Sequence, residues 1–296
     1  MLFISTVAIP ALVIFTMTVV GLELTVADFQ RVLAFPLLAL VALASQIVVL
    51  PLIAGLLIKA LDPDPGVAGG LILVAVCPIA AISNYYALLA RDNVALAVTL
   101  TAVSSVLALA TTPLLAAIGF ELLLGPTSAI HFPVAKGILQ IAIGLVLPIA
   151  LGMSIRRLAP RWARRHHVTL VRLSLVALAA LVIYVLVDQA GVIARGLSQL
   201  VFMAVLFTVA SLGAGYALGH LLRQQLTERA SVTIGFGIRN IGAALMIGAT
   251  VLGRLDLVAF GAVFFLSQLA FILPFLAWWR AQSRVVSTGS AHSVPG

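Results

Sequence analysis

Charged and turn-forming residues cut the chain into nine apolar stretches, at about 2–24, 33–61, 67–90, 93–120, 131–155, 169–190, 197–222, 230–252 and 257–279. A bilayer-spanning helix needs about 20 predominantly apolar residues, and each stretch meets that length, which predicts an all-α membrane protein with nine transmembrane helices. Short polar connectors such as TVADFQR, LDPDPG, RDN and QQLTERA lie between them. The first stretch, Leu2 to Leu24, has no basic leader or small-residue cleavage pattern and is read as a span rather than a signal core. The tail SRVVSTGSAHSVPG is rich in Ser and Gly, so 281–296 is expected to be disordered.

Composition removes the soluble alternatives. Of 296 residues, 63% are apolar and 9% charged, with mean hydropathy +1.23, which leaves no room for a separate soluble domain. The net charge of +8 sits mostly in loops, where it carries topology rather than nucleic-acid binding. On one side fall Arg31, Arg91, Arg156, Arg157, Arg161, Arg164, Arg165, Arg172, Arg223, Arg229, Arg280 and Arg284; the other holds Lys59, Lys136, Arg195 and Arg254. This bias predicts an external N-terminus and a cytoplasmic C-terminus in the cell's inner (plasma) membrane. Trp162, Trp278 and Trp279 read as interfacial anchors. One cysteine, Cys77, excludes an internal disulfide and makes no thiolate metal site alone. His131, His166, His167, His220 and His292 fall at ends, loops or tail, which argues against a histidine proton relay. No GxGxxG, P-loop, HExxH or GxSxG pattern occurs, so an enzyme reading has no nucleophile, base or metal cluster.

Two apolar stretches differ from the rest. The third, VAVCPIAAISNYYALLA, carries Pro78, which lacks a backbone donor, and Ser83-Asn84 near its middle. The eighth, SVTIGFGIRNIGAALMIG, sets Gly235, Gly237 and Gly242 around Arg239-Asn240. Paired interrupted helices point to the central site of a secondary transporter, because irregular backbone survives at membrane depth only where it lines protein or water. Each is the second-to-last helix of its part when the nine stretches are divided into four and five, the pattern of an inverted repeat lacking its first helix. The expected division is 1–155 for the four-helix first repeat and the start of the second, 156–168 for a basic cytoplasmic loop, and 131–280 for the five-helix second repeat.

Arg239 carries the sharpest chemistry. A central Arg costs about 2.5–3.5 kcal/mol on insertion scales unless paired or wetted. The nine acids all map to helix ends or loops, so its partner is either backbone carbonyl oxygen at a broken helix end or a transported anion. Both readings stand at this point. Asn84 and Asn240 supply donors and acceptors from the two interruptions, and Gln268 in the ninth stretch joins them as a substrate-binding candidate. Ser83, Thr101 and Gln46 offer oxygens to a hard cation or substrate, against the plain alternative of helix-to-helix hydrogen bonds. Cys77 beside Pro78 reads as a small packing residue, with a soft metalloid ligand as its sharper alternative.

The run CPIAAISNYYALLARDNVALAVTLTAVSSVLALATTPL closely resembles the third-to-fourth helix signature of the bile acid:sodium symporter family, with further matches at GLELTVADF, SQIVVLP and GFGIRNIG. The resemblance spans about residues 10 to 280. It implies an inverted-repeat transporter with a core domain containing two crossing discontinuous helices and a panel domain, moving by alternating access, here in a nine-helix form. Carried over by position, it implies that Ser83, Asn84 and Thr101 belong to a first sodium site. A second site would draw on Gln46 and the carbonyls of Phe236 and Ile238. The family's pattern also fails at specific places: an expected hydroxyl falls on Ala97, an expected glutamate on Gly235, a second glutamine on Arg239, and the Gly-Gly after the proline on Ile79-Ala80.

Exchanging a carboxylate for nothing and an amide for a guanidinium shifts local formal charge by two units in a low-dielectric site. The expectation is a secondary transporter of a small organic anion, bile-acid-like, keto-acid-like or pantoate-like. Asn84, Arg239, Asn240 and Gln268 contact the substrate, and Arg239 is a built-in cation, with no cofactor beyond a possible sodium ion. The rivals are sodium symport through a reduced first site on Ser83, Asn84 and Thr101, and a channel or receptor that keeps the fold without cycling.

Overall fold

A computed structural model describes residues 7–30, 36–125, 132–222 and 226–291. The expectations for Arg31, Arg223, His131 and His292 lie outside the described residues. Every named element is helical: α1 (Ile9–Gly21), α2 (Val26–Gln30), α3 (Pro36–Leu61), α4 (Pro65–Val76), α5 (Ile82–Ala90), α6 (Val94–Gly119), α7 (Val134–Ile141), α8 (Leu147–Leu158), α9 (Pro160–Asp188), α10 (Ala190–Leu221), α11 (Leu226–Gly237), α12 (Ile241–Met246) and α13 (Leu255–Ala291). Three π-helical turns, Phe120–Leu124, Ala142–Val146 and Ile247–Val251, extend α6, join α7 to α8 and extend α12.

Among the described residues, six helices are long and apolar enough to cross a membrane: Ala39–Leu61, Val94–Leu124, Val134–Leu158, Pro160–Asp188, Ala190–Leu221 and Leu255–Gln282. Much of their apolar surface faces outward, with Leu40, Val48, Leu56, Leu122, Leu147 and Val187 among the exposed side chains. Such faces are stable against acyl chains and not against water. The shorter helices α4 and α11–α12 are buried almost throughout.

The third and eighth apolar stretches are each two helices separated by extended backbone. In the third, Pro78 cannot donate to the ladder of α4 and forces its predecessor out of the α region. Cys77 accordingly has ψ 152°. Residues 77–81 then cross to α5. In the eighth, α11 ends at Gly237, and α12 restarts at Ile241 under the Asn240 side chain, whose Oδ1 accepts from Ala243 N–H at 3.1 Å. These two breaks lie among α3, α5, α6, α10 and α13, while α1 packs on α8 and α9.

Gly21 and Gly152 set the distance between α1 and α8. A Cβ on Gly21 would overlap Ile149 O, and one on Gly152 would overlap Thr18 O, so the two backbones touch where neither residue has a side chain.

Three features differ from the sequence reading. The basic stretch placed in a loop over 156–168 is helical: α8 runs through Leu158, only Ala159 breaks it, and Pro160 opens α9. Proline at a helix's first turn and the good helix formers Ala and Arg behind it explain the continuation. Trp279, expected as an anchor beside Trp278, is 2% exposed and packs with Tyr86, Ile272 and Leu276, whereas Trp162 and Trp278 are exposed. At the other end, α13 carries helical backbone through Ala291, into the tail expected to be irregular from 281.

Candidate functional site

The breaks meet each other. Ile79 and Arg239 form an antiparallel β-bridge, closed by Ala80 N–H donating to Ile238 O at 3.2 Å and Asn240 N–H donating to Pro78 O at 2.9 Å. Ile79 N–H donates to Ser104 Oγ of α6 at 3.0 Å, and Thr112 Oγ, about two turns further along the same face of α6, donates to Val76 O at 2.8 Å. Each break therefore pairs two of the other's buried backbone groups, and two α6 hydroxyls pair a further two in the first break.

Arg239 sits at this crossing, 4% exposed. Its Nη1 donates to Gln46 Oε1 at 3.2 Å and to Gly235 O at 3.3 Å, and its Nη2 donates to Cys77 O. Cys77 and Gly235 close the C-terminal ends of α4 and α11, where helix dipoles leave about half a unit of negative charge each. Two such ends face one guanidinium. Among the described residues no Asp or Glu is paired with Arg239. Of the two partners open at the sequence level, the contacts present are the carbonyl ones.

Ser83, Asn84 and Thr101 are brought together. Thr101 Oγ donates to Asn84 Oδ1 at 3.1 Å and lies 3.1 Å from Ser83 Oγ. All three are buried, and Asn84 Nδ2 has no hydrogen-bond partner among the described residues. Asn240 splits its amide between capping α12 and a 3.6 Å contact from Nδ2 to Met17 Sδ of α1. Phe236 and Ile238 are buried; Ile238 O is taken by Ala80 N–H. Gln268 is buried on α13 with Oε1 unpartnered, and no hydrogen bond joins it to the breaks. Cys77 is fully buried, and no cluster of metal-ligating side chains occurs among the described residues.

Sequence reasoning missed Ser104 and Thr112 as supports of the first break. Their signal was available: Thr101, Ser104, Ser105 and Thr112 recur at spacings that fall on one side of a helix. It also missed the clasp at the loop between α5 and α6. There Arg91 takes the left-handed conformation, φ 58°, and turns Asp92 inward, so that Oδ2 accepts from Ser231 N–H of α11 while Ser231 Oγ donates to Asn93 O at 3.1 Å. Burial pushes the Asp92 carboxyl up to about 7; the hydrogen bonds from Ser231 and Asn93 oppose the shift and Glu228 adds to it.

Comparison with known proteins locates this architecture. The chain is 30% identical over 234 residues to a Bacillus subtilis protein named uncharacterized sodium-dependent transporter YocS, covering 76% of this chain and 69% of that one. It is 29% identical over 227 residues to the probable sodium/metabolite cotransporter BASS1 of Arabidopsis thaliana, covering 76% and 55%. It is also 29% identical over 238 residues to the human P3 protein, covering 80% and 49%. The chain thus spans about half the length of two of these three. The sodium bile acid symporter family profile matches residues 10–196, a stretch that contains Gln46, the first break and Thr101 but ends before Arg239. By that match the chain belongs to the sodium bile acid symporter family.

Proposed function

We propose that the chain is a secondary active transporter of a small organic anion, working by alternating access without sodium coupling, with Arg239 as the fixed cation at the crossing of its two broken helices. The observation that carries this reading is the guanidinium bonded to Cys77 O, Gly235 O and Gln46 Oε1 with no carboxylate among its partners. Oxygen from two helix C-termini and an amide is what a hard monovalent cation would seek. A guanidinium already there opposes a second cation in a low-dielectric site.

The reading takes the nine apolar stretches as nine spans in a 4+5 inverted repeat, with the break-bearing helices as core and α1, α8 and α9 as panel. The N-terminus is outside and the C-terminus in the cytoplasm of the inner membrane. Asn84, Asn240 and Gln268 would position the substrate, which Arg239 attracts by charge.

The test is uptake into proteoliposomes of labelled taurocholate, a 2-keto acid and pantoate, in sodium and in potassium. Saturable uptake of one of them at equal rates in both salts is expected. A steep sodium requirement overturns the uncoupled reading, and conductance without counterflow overturns the transporter reading.

A second reading rests on the cluster of Ser83, Asn84 and Thr101, whose three side-chain oxygens converge within hydrogen-bond distance. Sodium held there would keep a reduced symport alive, and isothermal titration with sodium separates it from the first.

A further inference from the structure

The outward side of α9 changes character along its length. At about 100° per residue, Arg161, Arg165 and Arg172 fall within about 40° of one another, and Val168, Val176 and Ile183 fall on the same side. All six are exposed. Beyond Arg172 the helix carries no charge until Asp188, its last residue. From Arg172 to Ile183 it rises about 16 Å, the depth of one leaflet's hydrocarbon.

The arginines of this end are unspent. Residues 156–172 hold six arginines and no acid. Arg156 donates to Leu22 O and Glu23 O, and the one carboxylate that reaches the stretch among the described residues is Glu23, 3.1 Å from His167 Nε2. Among the described residues Arg161, Arg164, Arg165 and Arg172 have no hydrogen bond or ion pair. By contrast, Arg195 donates to Gly191 O, Arg254 to Asp256 and Arg280 to Leu89 O.

A topology signal requires only positive charge near the end of a span, and gives no reason for that charge to share one face with outward aliphatics. A ligand that fits both is anionic at one end and hydrocarbon at the other. Inorganic phosphate or a nucleic acid leaves Val176 and Ile183 uncovered, and a zwitterionic lipid carries its own cation beside its phosphate. An anionic glycerophospholipid matches charge with charge and chain with chain. Trp162, exposed with its ring centroid 4.8 Å from that of His166, adds an amphipathic ring of the kind that sits at headgroup level.

We propose that this face of α9 is a site for an anionic phospholipid, with the phosphate held by Arg165 and Arg172, Arg161 adding attraction, and an acyl chain lying along Val176 and Ile183. The proposal rests on neither Arg239 nor transport, and no outcome of the uptake experiment touches it.

Its test uses the full chain in a neutral detergent, titrated with dioleoyl phosphatidylglycerol, with dioleoyl phosphatidylcholine or with inorganic phosphate. Phosphatidylglycerol is expected to raise Tm by several degrees with saturation and to remain bound as a discrete adduct in native mass spectrometry. The other two are expected to do neither. Arg165→Gln combined with Arg172→Gln removes no contact with the described residues, so Tm without added lipid should match wild type, while apparent affinity for phosphatidylglycerol should fall about thirtyfold, the product of about fivefold for each basic residue. The two single variants should each show their share, which keeps the test available should the double variant fold poorly. Arg195→Gln, at an exposed arginine bonded only to its own helix, should leave the affinity unchanged. Equal shifts with the two lipids, a saturable shift with phosphate alone, undiminished affinity in the arginine variants, or the same loss in Arg195→Gln overturns the assignment.

Discussion

Ile79 and Arg239 pair backbone to backbone across the two broken helices, and the pairing turns two local defects into one joint. Neither break is stable alone: extended backbone at membrane depth strands N–H and C=O groups that cost several kcal/mol each when unpaired. Together, Ala80 N–H reaches Ile238 O and Asn240 N–H reaches Pro78 O, and the Arg239 side chain returns from the bridge to Cys77 O and Gly235 O. The backbone bonds of the joint are thus made by the neighbours Ile238 and Asn240, and the residue between them supplies its charge by its side chain.

If the guanidinium occupies an ion's place, restoring the family's residues should restore the ion. Gly235→Glu combined with Arg239→Gln is expected to convert uptake from sodium-indifferent to several-fold sodium-stimulated. A side chain at 235 has a route: its Cβ would lie 3.3 Å from Gln46 Nε2 and 3.4 Å from Ile79 Cδ1, tight contacts whose partners are flexible side-chain ends. Gly235→Glu alone puts a carboxylate beside Arg239, whose Nη1 already reaches Gly235 O at 3.3 Å, pairs with it, and should leave uptake indifferent to sodium. Uptake rates in sodium and potassium for both variants check this, and a double variant that ignores sodium counts against the built-in cation.

Thr101 is the hinge pin of the Ser83–Asn84 cluster, touching both at 3.1 Å. Thr101→Val keeps the shape, deletes both hydrogen bonds and leaves the Asn84 amide with no partner on either end. A loss of about 1–3 kcal/mol is expected for the stranded buried group, read as a fall in Tm, with Thr101→Ser near wild type. Equal stability of the Val variant would mean that the three side chains are not bonded to one another.

What the sequence made legible was chemistry with a local cause. Pro78 inside an apolar run and glycines around Arg239 break a helix wherever they stand, so both interruptions were readable. The rest depends on what meets across the fold. That the breaks pair with each other, that Gln46 reaches Arg239 over a separation of 193 residues, and that Trp279 turns inward while Trp278 does not are facts of packing, which no residue type carries alone. The basic stretch that ends α8 and opens α9 was misread because charge suggested a loop, when Arg and Ala are good helix formers and Pro160 is well placed to start one.

The Asp92 clasp predicts a pH dependence with a definite sign. Its carboxyl stands at about 7 in the fold against 3.8 ordinarily, so between those values the folded chain holds a proton that the unfolded chain has lost. Stability from this group is full below about pH 4 and is lost as pH rises through 7. Thermal unfolding should show Tm declining between about pH 4 and 7 and levelling off above, and Asp92→Asn, which keeps an acceptor for Ser231 N–H but does not ionise, should flatten that decline. Parallel curves for the two proteins would remove Asp92 as the source.

The contact of α1 with α8 gives the last expectation. Gly21 and Gly152 lie where a Cβ would overlap backbone oxygen of the opposite helix, and backbone, unlike a side-chain end, has no rotamer to move into. Gly152→Ala should force the helices apart, cost more than the 1–3 kcal/mol typical of overpacking, and lower the yield of folded protein in detergent. Gly191→Ala is the control, because nothing lies within 4 Å of its added methyl; helix propensity there favours Ala over Gly by about 1 kcal/mol, so it should match or exceed wild type. Size-exclusion profiles and Tm of the two variants decide it. Gly152→Ala with wild-type Tm would mean that α1 and α8 cross at a greater distance than their backbones show.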